Sequence, residues 1–542
     1  MPDPAQHVRD WLAAYDSPTA AVAHLLCERH PRDRVALTEI GPDLDSRDLT
    51  YGELADRSAA LAAGMAAAGI GRGDHVATLL GKGTDLAVTA LAVWRLGAVH
   101  VPLLTAFAPT AIAHRLARPA VKLVVCDDDQ RAKLAPGPGM PADPHRLIAT
   151  TGRTAREGDH TLDSLAALGA GAPPPPPAAV GGAAPFLLLH TSGAAGPAKA
   201  IPVPVRALAA FHAYHHYGLD VDADDVYWNT ADPSGTYGLY HGLISPLLAG
   251  HRTLHLRAGF DPELTLDVLA TYEVTNLAAS PTVYRSLRAT LKTMPPEIAV
   301  RHLSSAGEPL SADVVDWAAD AFGVAVRDHY GQTELGMCVG HPNHPDLSAE
   351  PRPDSLGIAL PGWAVTVLEP VADEEAPPGA FGRIAVDTKA SPLMWFTGYA
   401  DAPTATAARF TPDGRWYLTG DTGTRDREER LYFASRDDDA ILTSGYRIGP
   451  FDVESALLEH PAVAEAAVYG VPDDLHGQLV AATVVLRDGV QGDDRLAEEL
   501  RETVRTRFAA HAYPRRITFA DQLPRSPSGK IRRARLAPPP RG

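Results

Sequence analysis

The apolar positions of the first 170 residues fall into two alternating rhythms. Residues 53–68 are rich in Ala and Leu, stop at Gly69 and read as a helix. Gly71, Arg72, Gly73 and Asp74 form a turn, and residues 75–80 are a short apolar strand. Residues 85–96 read as a helix ending at Gly97, and residues 99–103 and 122–126 as buried strands. Strand and helix in this alternation predict an α/β fold with a mainly parallel sheet covered by helices. Residues 171–184, GAPPPPPAAVGGAA, cannot build a core and read as a surface linker before a strand at 186–189. A second series of strands and helices runs over 200–322, and a β-rich stretch over 357–432. The last hundred residues read as a small α/β domain. It has helices at 452–460 and 495–508 and strands at 466–469, 480–486 and 516–519. The Asp437-Asp438-Asp439 run is the expected joint, dividing the chain into a large N-terminal domain of several subdomains, 1–437, and a small C-terminal domain, 438–542. No internal repeat stands out.

Size and charge narrow the picture. A chain of 542 residues needs two or more cores. A formal net charge of -17 argues against a nucleic-acid or anionic-membrane partner, since both require concentrated positive charge. Cys27, Cys126 and Cys338 lie far apart with no CxxC pair, so neither a disulfide framework nor a zinc site is expected, and a reducing cytoplasm fits. The N-terminal MPDPAQHVRDWL lacks the basic-then-apolar layout of a signal peptide. The most apolar long stretch, residues 85–102, is interrupted by Arg95 and His100 and is not expected to span a membrane.

Chemistry concentrates in a few segments. Residues 191–199, TSGAAGPAK, follow an apolar strand and offer glycine N–H groups, two hydroxyls and one lysine, the equipment of an anion-binding loop. Taken alone, the stretch fits a phosphate cradle and an ordinary loop equally, and it lacks the Walker spacing. Gly307-Glu308-Pro309 follows a short apolar segment and precedes a helix start at Ser311. Residues 328–334 read DHYGQTE, 416–421 read WYLTGD, 444–454 read SGYRIGPFDVE, and 524–530 read PRSPSGK. Each has a bland alternative as an exposed turn or a solvated charge.

Together, in this order and over nearly the whole chain, these segments resemble the acyl-adenylate-forming superfamily of acyl-CoA synthetases, amino-acid adenylation domains and luciferases. The resemblance is strongest to acetyl- and medium-chain acyl-CoA synthetases. It implies ATP, Mg²⁺ and coenzyme A as cofactors, and a large N-terminal domain carrying a mobile C-terminal cap. The phosphate loop keeps Thr191, Ser192, Gly193, Gly196 and Lys199. It departs at Ala194 and Ala195, where the family has hydroxyls, and at Ala198 and Ala200, which implies a weaker hold on the phosphates. Gly307, Glu308 and Pro309 would line the adenine. Tyr330 would stack on it, Thr333 would touch the α-phosphate, and Glu334 would hold Mg²⁺, with Asp328, Gly331 and Gln332 in the same nucleotide site. Asp421 would accept the ribose hydroxyls, seconded by Arg436. Asp438 matches the hinge. Ser444, Gly445, Tyr446 and Arg447 match the segment that meets CoA, Gly445 passing the pantetheine and Arg447 meeting a phosphate. Lys530 matches the adenylation lysine.

The resemblance implies a two-step reaction. A carboxylate is a poor acyl donor until AMP replaces oxide as its leaving group, and catalysis of that step is positioning and charge stabilisation. Ser234, Gly235, Thr236, Tyr237 and His241, with Gly331, match the acid pocket, and Cys338 is a further wall candidate. Strict acetyl-CoA synthetases carry Trp at the position of Gly331, and relatives have Gly-Trp where this chain has Ser234-Gly235. The expected substrate is therefore larger than acetate, medium-chain or aromatic. Two other readings stay open: loading of an acyl-carrier protein, and a degenerate, non-catalytic nucleotide binder.

Overall fold

The computed structural model describes residues 3–536 apart from 119, 138, 144, 191–198, 292–294, 296, 309, 348–350, 353, 437–440, 444–445, 474–476, 508–511 and 526–530. Thr191, Ser192, Gly193, Gly196, Pro309, Asp438, Ser444, Gly445 and Lys530 thus lie outside the described residues, as do the side chains of Arg436, Tyr446 and Arg447.

The alternating pattern of the first half builds two large sheets. One has seven strands in the order His160–Thr161, Leu147–Thr150, Val121–Cys126, His75–Leu79, Val99–Pro102, Pro185–His190 and Ala200–Pro204. Every pair is parallel except the last. The other has nine strands, running Ile358–Ala359, Gly336–Gly340, Val326–Gln332, His302–Ala306, Asn276–Ala279, Tyr227–Asn229, Thr253–Leu256, Val35–Ile40 and Ser46–Thr50. Its centre is parallel and its margins antiparallel. Strands buried on both faces need near-continuous apolar runs, and Val121–Cys126 exposes only Lys122. Helix Thr84–Arg95 is buried over most of its length. Its Trp94 and Leu91 belong to the main core, which joins residues of both sheets.

Helix Tyr51–Ala67 starts two residues before the expected 53. Its start is set by a capping box in which the Glu53 N–H donates to Thr50 Oγ1 at 3.1 Å and the Thr50 N–H to Glu53 Oε2 at 2.9 Å. The proline-rich run 171–184 is irregular, but it is pinned rather than loose. The N–H of Ala178 donates to the Arg95 carbonyl at 2.9 Å, that of Val180 to Ala20 at 3.0 Å, and that of Gly182 to Ser17 at 3.0 Å. Val180 packs against the main core.

The β-rich stretch forms a four-stranded antiparallel sheet, Val365–Leu368, Gly382–Asp387, Trp416–Arg425 and Leu431–Arg436. The smaller C-terminal domain has a five-stranded sheet beginning at Ile441–Thr443, helices Pro450–Leu458 and Asp494–Arg507, and a core of its own around Val453, Leu457, Val468, Val484 and Leu500. The molecule is therefore α/β, with a large N-terminal and a small C-terminal domain. Cys27, Cys126 and Cys338 are free and buried. Among the described residues, no helix is long and apolar enough to cross a membrane, and no cluster of His, Cys, Asp and Glu is poised to hold a metal.

Candidate nucleotide and acid site

Ligands of parallel α/β sheets gather at the carboxyl ends of the strands. Here His302–Ala306 and Val326–Gln332 are parallel neighbours with Ala306 level with His329, so Gly307 leaves the sheet beside Tyr330, which stays paired with Val339 on its other side. Gly307 has φ +93°, a left-handed conformation that favours glycine, and a Cβ there would meet nothing within 4 Å. The backbone at this point faces open space.

The chain then turns tightly, the Leu335 N–H donating to the Gln332 carbonyl at 3.0 Å. Three tethers hold this turn. Thr333 Oγ1 lies 3.0 Å from Thr236 Oγ1, Tyr240 Oη donates to the Thr333 carbonyl at 3.1 Å, and Trp395 Nε1 donates to the Leu335 carbonyl at 3.0 Å. Glu334 is buried, 5 % exposed, so its carboxylate needs partners. Tyr399 Oη donates to Glu334 Oε1 at 2.7 Å, and Arg409 Nε donates to Tyr399 Oη at 3.1 Å. Burial and the Glu334 charge push the Tyr399 phenol up to about 12, which keeps it a donor. Lys199, at the exit of the phosphate loop, brings its Nζ to 4.9 Å from the centre of the Tyr399 ring. A backbone bridge between Ala200 and Ala400 explains this meeting, the Ala400 N–H donating to the Ala200 carbonyl at 2.8 Å.

Asp421 stands beside this group on strand Trp416–Arg425. Its Oδ2 accepts from Tyr330 Oη at 2.5 Å and from Gln332 Nε2 at 2.8 Å, and Tyr417 Oη donates to Gln332 Oε1 at 3.0 Å. Burial and then the Asp421 charge push the Tyr330 phenol far above its ordinary value, so it too remains a donor. Asp421 is level with Arg436 on the adjacent strand. Five separated segments thus bring one lysine, two carboxylates and several hydroxyls into one connected cluster.

The comparisons with known proteins agree with this geometry. Residues 25–399 match the AMP-binding enzyme family, and residues 452–530 match the AMP-binding enzyme C-terminal domain. The chain belongs to the AMP-binding enzyme family. It is 32% identical over 468 residues to the acetyl-coenzyme A synthetase of Bacillus subtilis, covering 85% of this chain and 80% of that one. It is 32% identical over 477 residues to the mitochondrial acyl-coenzyme A synthetase ACSM3 of Rattus norvegicus, covering 86% and 79%. Among solved structures, the acyl-CoA synthetase of Brucella canis matches with a TM-score of 0.75 and 41% identity over 99% of this chain and 97% of that one. As an AMP-binding enzyme of the acyl-CoA synthetase kind, the chain is an ATP-dependent, AMP-forming acid–thiol ligase that uses Mg²⁺ and coenzyme A.

Within this AMP-binding enzyme, several expected site residues take positions that sequence alone did not indicate. The Glu308 carboxylate turns away to helix Pro281–Thr290, accepting from Thr282 Oγ1 at 2.8 Å and from Arg285 Nη2 at 2.7 Å. Gly307, rather than the Glu308 side chain, faces the open space. Asp328 accepts the His329 N–H at 3.1 Å, and burial pushes its carboxyl well above the ordinary value. Ser234 spends its hydroxyl on Asp232 in a turn closed by the Gly235 N–H donating to the Asp232 carbonyl at 2.9 Å. Gly331 needs a correction. A Cβ there would lie 1.9 Å from the Gly336 carbonyl oxygen, at the irregularity where this strand pairs with Gly336–Gly340. The close approach of two strands accounts for the glycine, and it does not by itself widen an acid pocket. Cys338 is fully buried, its Sγ 3.9 Å from the Tyr330 carbonyl oxygen, and burial pushes the thiol up. Tyr399, Arg409, Tyr417 and Tyr214 were not found by sequence reasoning. Their roles come from pairings across the fold, although Tyr417 lies inside the same motif as Asp421.

Proposed function

We propose that the chain adenylates a carboxylic acid larger than acetate, medium-chain or aromatic, and passes the acyl group to coenzyme A. The observation that carries this reading is the Lys199–Tyr399–Glu334 cluster meeting the Asp421–Tyr330–Gln332 cluster at the strand ends. The donor set fits a magnesium-bound nucleotide. A buried carboxylate, Glu334, is oriented by a phenol for a divalent cation, and a lysine stands close by for phosphate. Mg²⁺, when bound, lowers the charge that keeps a carboxylate from a triphosphate. Thr333 would hold the α-phosphate through its hydroxyl. Asp421, already a double acceptor, would orient the ribose, and Tyr330 would lie on the adenine beside Gly307. Lys530 would stand between the acid and the α-phosphate as charge builds.

We place the joint at Asp438, dividing 1–437 from a mobile cap at 438–542. Consistent with this, the four-stranded sheet ends at Arg436 and the five-stranded sheet begins at Ile441. After adenylation the cap would exchange Lys530 for the Gly445 face, where Ser444, Tyr446 and Arg447 would receive the CoA arm. The size of the acid is supported by Gly235, where a Cβ would meet only the Asp232 carbonyl oxygen, at 3.3 Å. A cytoplasmic location is supported by three free, buried thiols.

The test is pyrophosphate release with Mg·ATP over acids from acetate to decanoate and substituted benzoates, followed by acyl transfer to CoA and to an acyl-carrier protein. Release with C6–C10 or aromatic acids, and thioester formation on free CoA, is expected. Activity on acetate alone would overturn the substrate class. Transfer confined to the carrier protein would overturn the acceptor.

A further inference from the structure

Resting on the assignment of residues 234–241 to the acid pocket, we propose that this enzyme selects acids bearing a hydrogen-bond donor, a hydroxyl or an amino group, beyond the carboxylate. The part of that pocket's wall formed by Tyr237 and His241 is polarised to present lone pairs and no protons.

The first line of evidence is a relay with a forced direction. His329 Nε2 lies 3.1 Å from the His341 carbonyl oxygen, which can only accept, so Nε2 carries the proton. Burial draws His329 down to about 3, so the ring is neutral and its Nδ1 is a bare acceptor. Tyr214 Oη, 2.8 Å away, therefore donates to Nδ1. With that proton committed, the contact of 3.3 Å between Tyr214 Oη and Tyr237 Oη is made by Tyr237 donating. Tyr237 is left with oxygen lone pairs alone for any further partner.

The second line is independent. His241 follows Tyr237 by four residues, so the two side chains rise from the same side of the helical segment. Ser245 Oγ donates to the Tyr240 carbonyl at 2.6 Å, so its oxygen accepts from His241 Nδ1 at 3.1 Å. Nε2 is then unprotonated. His241 is fully buried, and among the described residues Nε2 has no partner. The imidazole centre lies 4.4 Å from the Tyr214 ring and 5.7 Å from the Tyr237 ring, at the end of the relay. A buried acceptor left unpaired is costly. Nε2 is closed off by its neighbours, so the entering acid must part them to reach it; a donor would then satisfy it, and a methyl group would not.

Isosteric acids read this directly. Pyrophosphate release would be measured for heptanoate against 6-hydroxyhexanoate, and for 3- and 4-methylbenzoates against their hydroxy, amino and methoxy counterparts. The donor-bearing acid should exceed its methyl isostere in kcat/KM by about tenfold in at least one series, the worth of one hydrogen bond in a dry site. The methoxy acid, an acceptor only, should gain nothing. Tyr214→Phe frees the Tyr237 proton, so the preference of hydroxy over methoxy should narrow to about threefold or less. Should that variant fail to fold, Tyr237→Phe must narrow the preference of hydroxy over methyl in the same way. Methyl acids equal to or better than donor acids in every series would overturn the inference while leaving the functional reading intact. So would a preference that survives the folded variant. No release with any acid beyond acetate would overturn both.

Discussion

Tyr399 carries the most consequence of any residue that no motif pointed to. Its phenol links three charges: it donates to the buried Glu334, accepts from Arg409, and lies under Lys199. A hydrogen bond to a charged partner is worth about 1.5–3 kcal/mol. Tyr399→Phe keeps the ring beneath Lys199 but releases Glu334 from its fixed orientation. The rate of pyrophosphate release should fall by about tenfold or more, and the Mg²⁺ concentration giving half-maximal rate should rise. An unchanged Mg²⁺ titration would remove Tyr399 from the account of Glu334. The chemistry of this position was illegible in Phe396-Thr397-Gly398-Tyr399 because nothing in those four residues points to Glu334, 65 positions earlier. Gly331 misled in the opposite sense. A small residue inside a motif suggests space, whereas the neighbouring strand occupies the place of its side chain.

At the scale of elements, local rules served well wherever local energies decide. Strand Arg516–Phe519 has the expected bounds, and Asp494–Arg507 differs from expectation by one residue at each end. The helix at Tyr51 began early because its start is set by Thr50 and Glu53 rather than by the first apolar residue. The segment Leu208–Ala213 and its continuation Tyr214–Gly218 could not be read this way, because three histidines in FHAYHHYG fit a surface as well as an interior. They are packed against helix Pro4–Tyr15. Tyr15 Oη meets His212 Nδ1 at 2.7 Å, Trp11 stacks on His212 at 4.6 Å, and His7 Nδ1 meets Tyr217 Oη at 2.8 Å. Burial draws His212 down to about 3 and His216 to about 4, and takes His215 well below its ordinary value. Arg29, His7, His216 and His251 around His212 act in the same direction. Between about pH 6.5 and these folded-state values, the unfolded chain binds protons that the folded chain does not. The full stability is therefore present above about pH 6.5 and declines as the pH falls, by about 1.4 kcal/mol per unit for each such histidine. The urea midpoint should drop between pH 7.5 and 5, and amides of helix Pro4–Tyr15 should lose protection from hydrogen exchange. His212→Asn, which keeps an acceptor for Tyr15 without titrating, should reduce the slope by one proton. An unaltered slope would place the acid sensitivity elsewhere.

For the whole molecule, the order of motifs along the chain is informative because, among the described residues, Gly307 follows strand His302–Ala306, Thr333 and Glu334 follow Val326–Gln332, and Lys199 precedes Ala200–Pro204. The strand order that unites them is not legible in this way. Lys199 and Tyr399 are neighbours only because Ala200 bridges to Ala400 across 200 residues of chain, a pairing no local pattern encodes. The same scale governs the last prediction. The C-terminal domain has its own core, so it can move as a body without unfolding. Two chemistries are asked of one site: an acid must meet the α-phosphate, and later a thiol must reach the acyl carbonyl. A lysine cation that favours the first by neutralising charge on the α-phosphate has no such charge to meet in the second. If the cap presents Lys530 for adenylation and then swings that lysine out, Lys530→Ala should lower pyrophosphate formation by about 10²–10³ or more, the usual loss when a preorganised donor to developing charge is removed. Thioester formation from supplied acyl-AMP and CoA should be nearly unchanged, because Lys530 would then be outside the site. Gly445→Trp should show the reverse, with adenylation kept and acyl transfer lost as the added ring fills the passage of the pantetheine arm. Equal loss of both half-reactions in either variant would mean that one fixed arrangement of the two domains serves both steps, and the rotating cap would have to be abandoned.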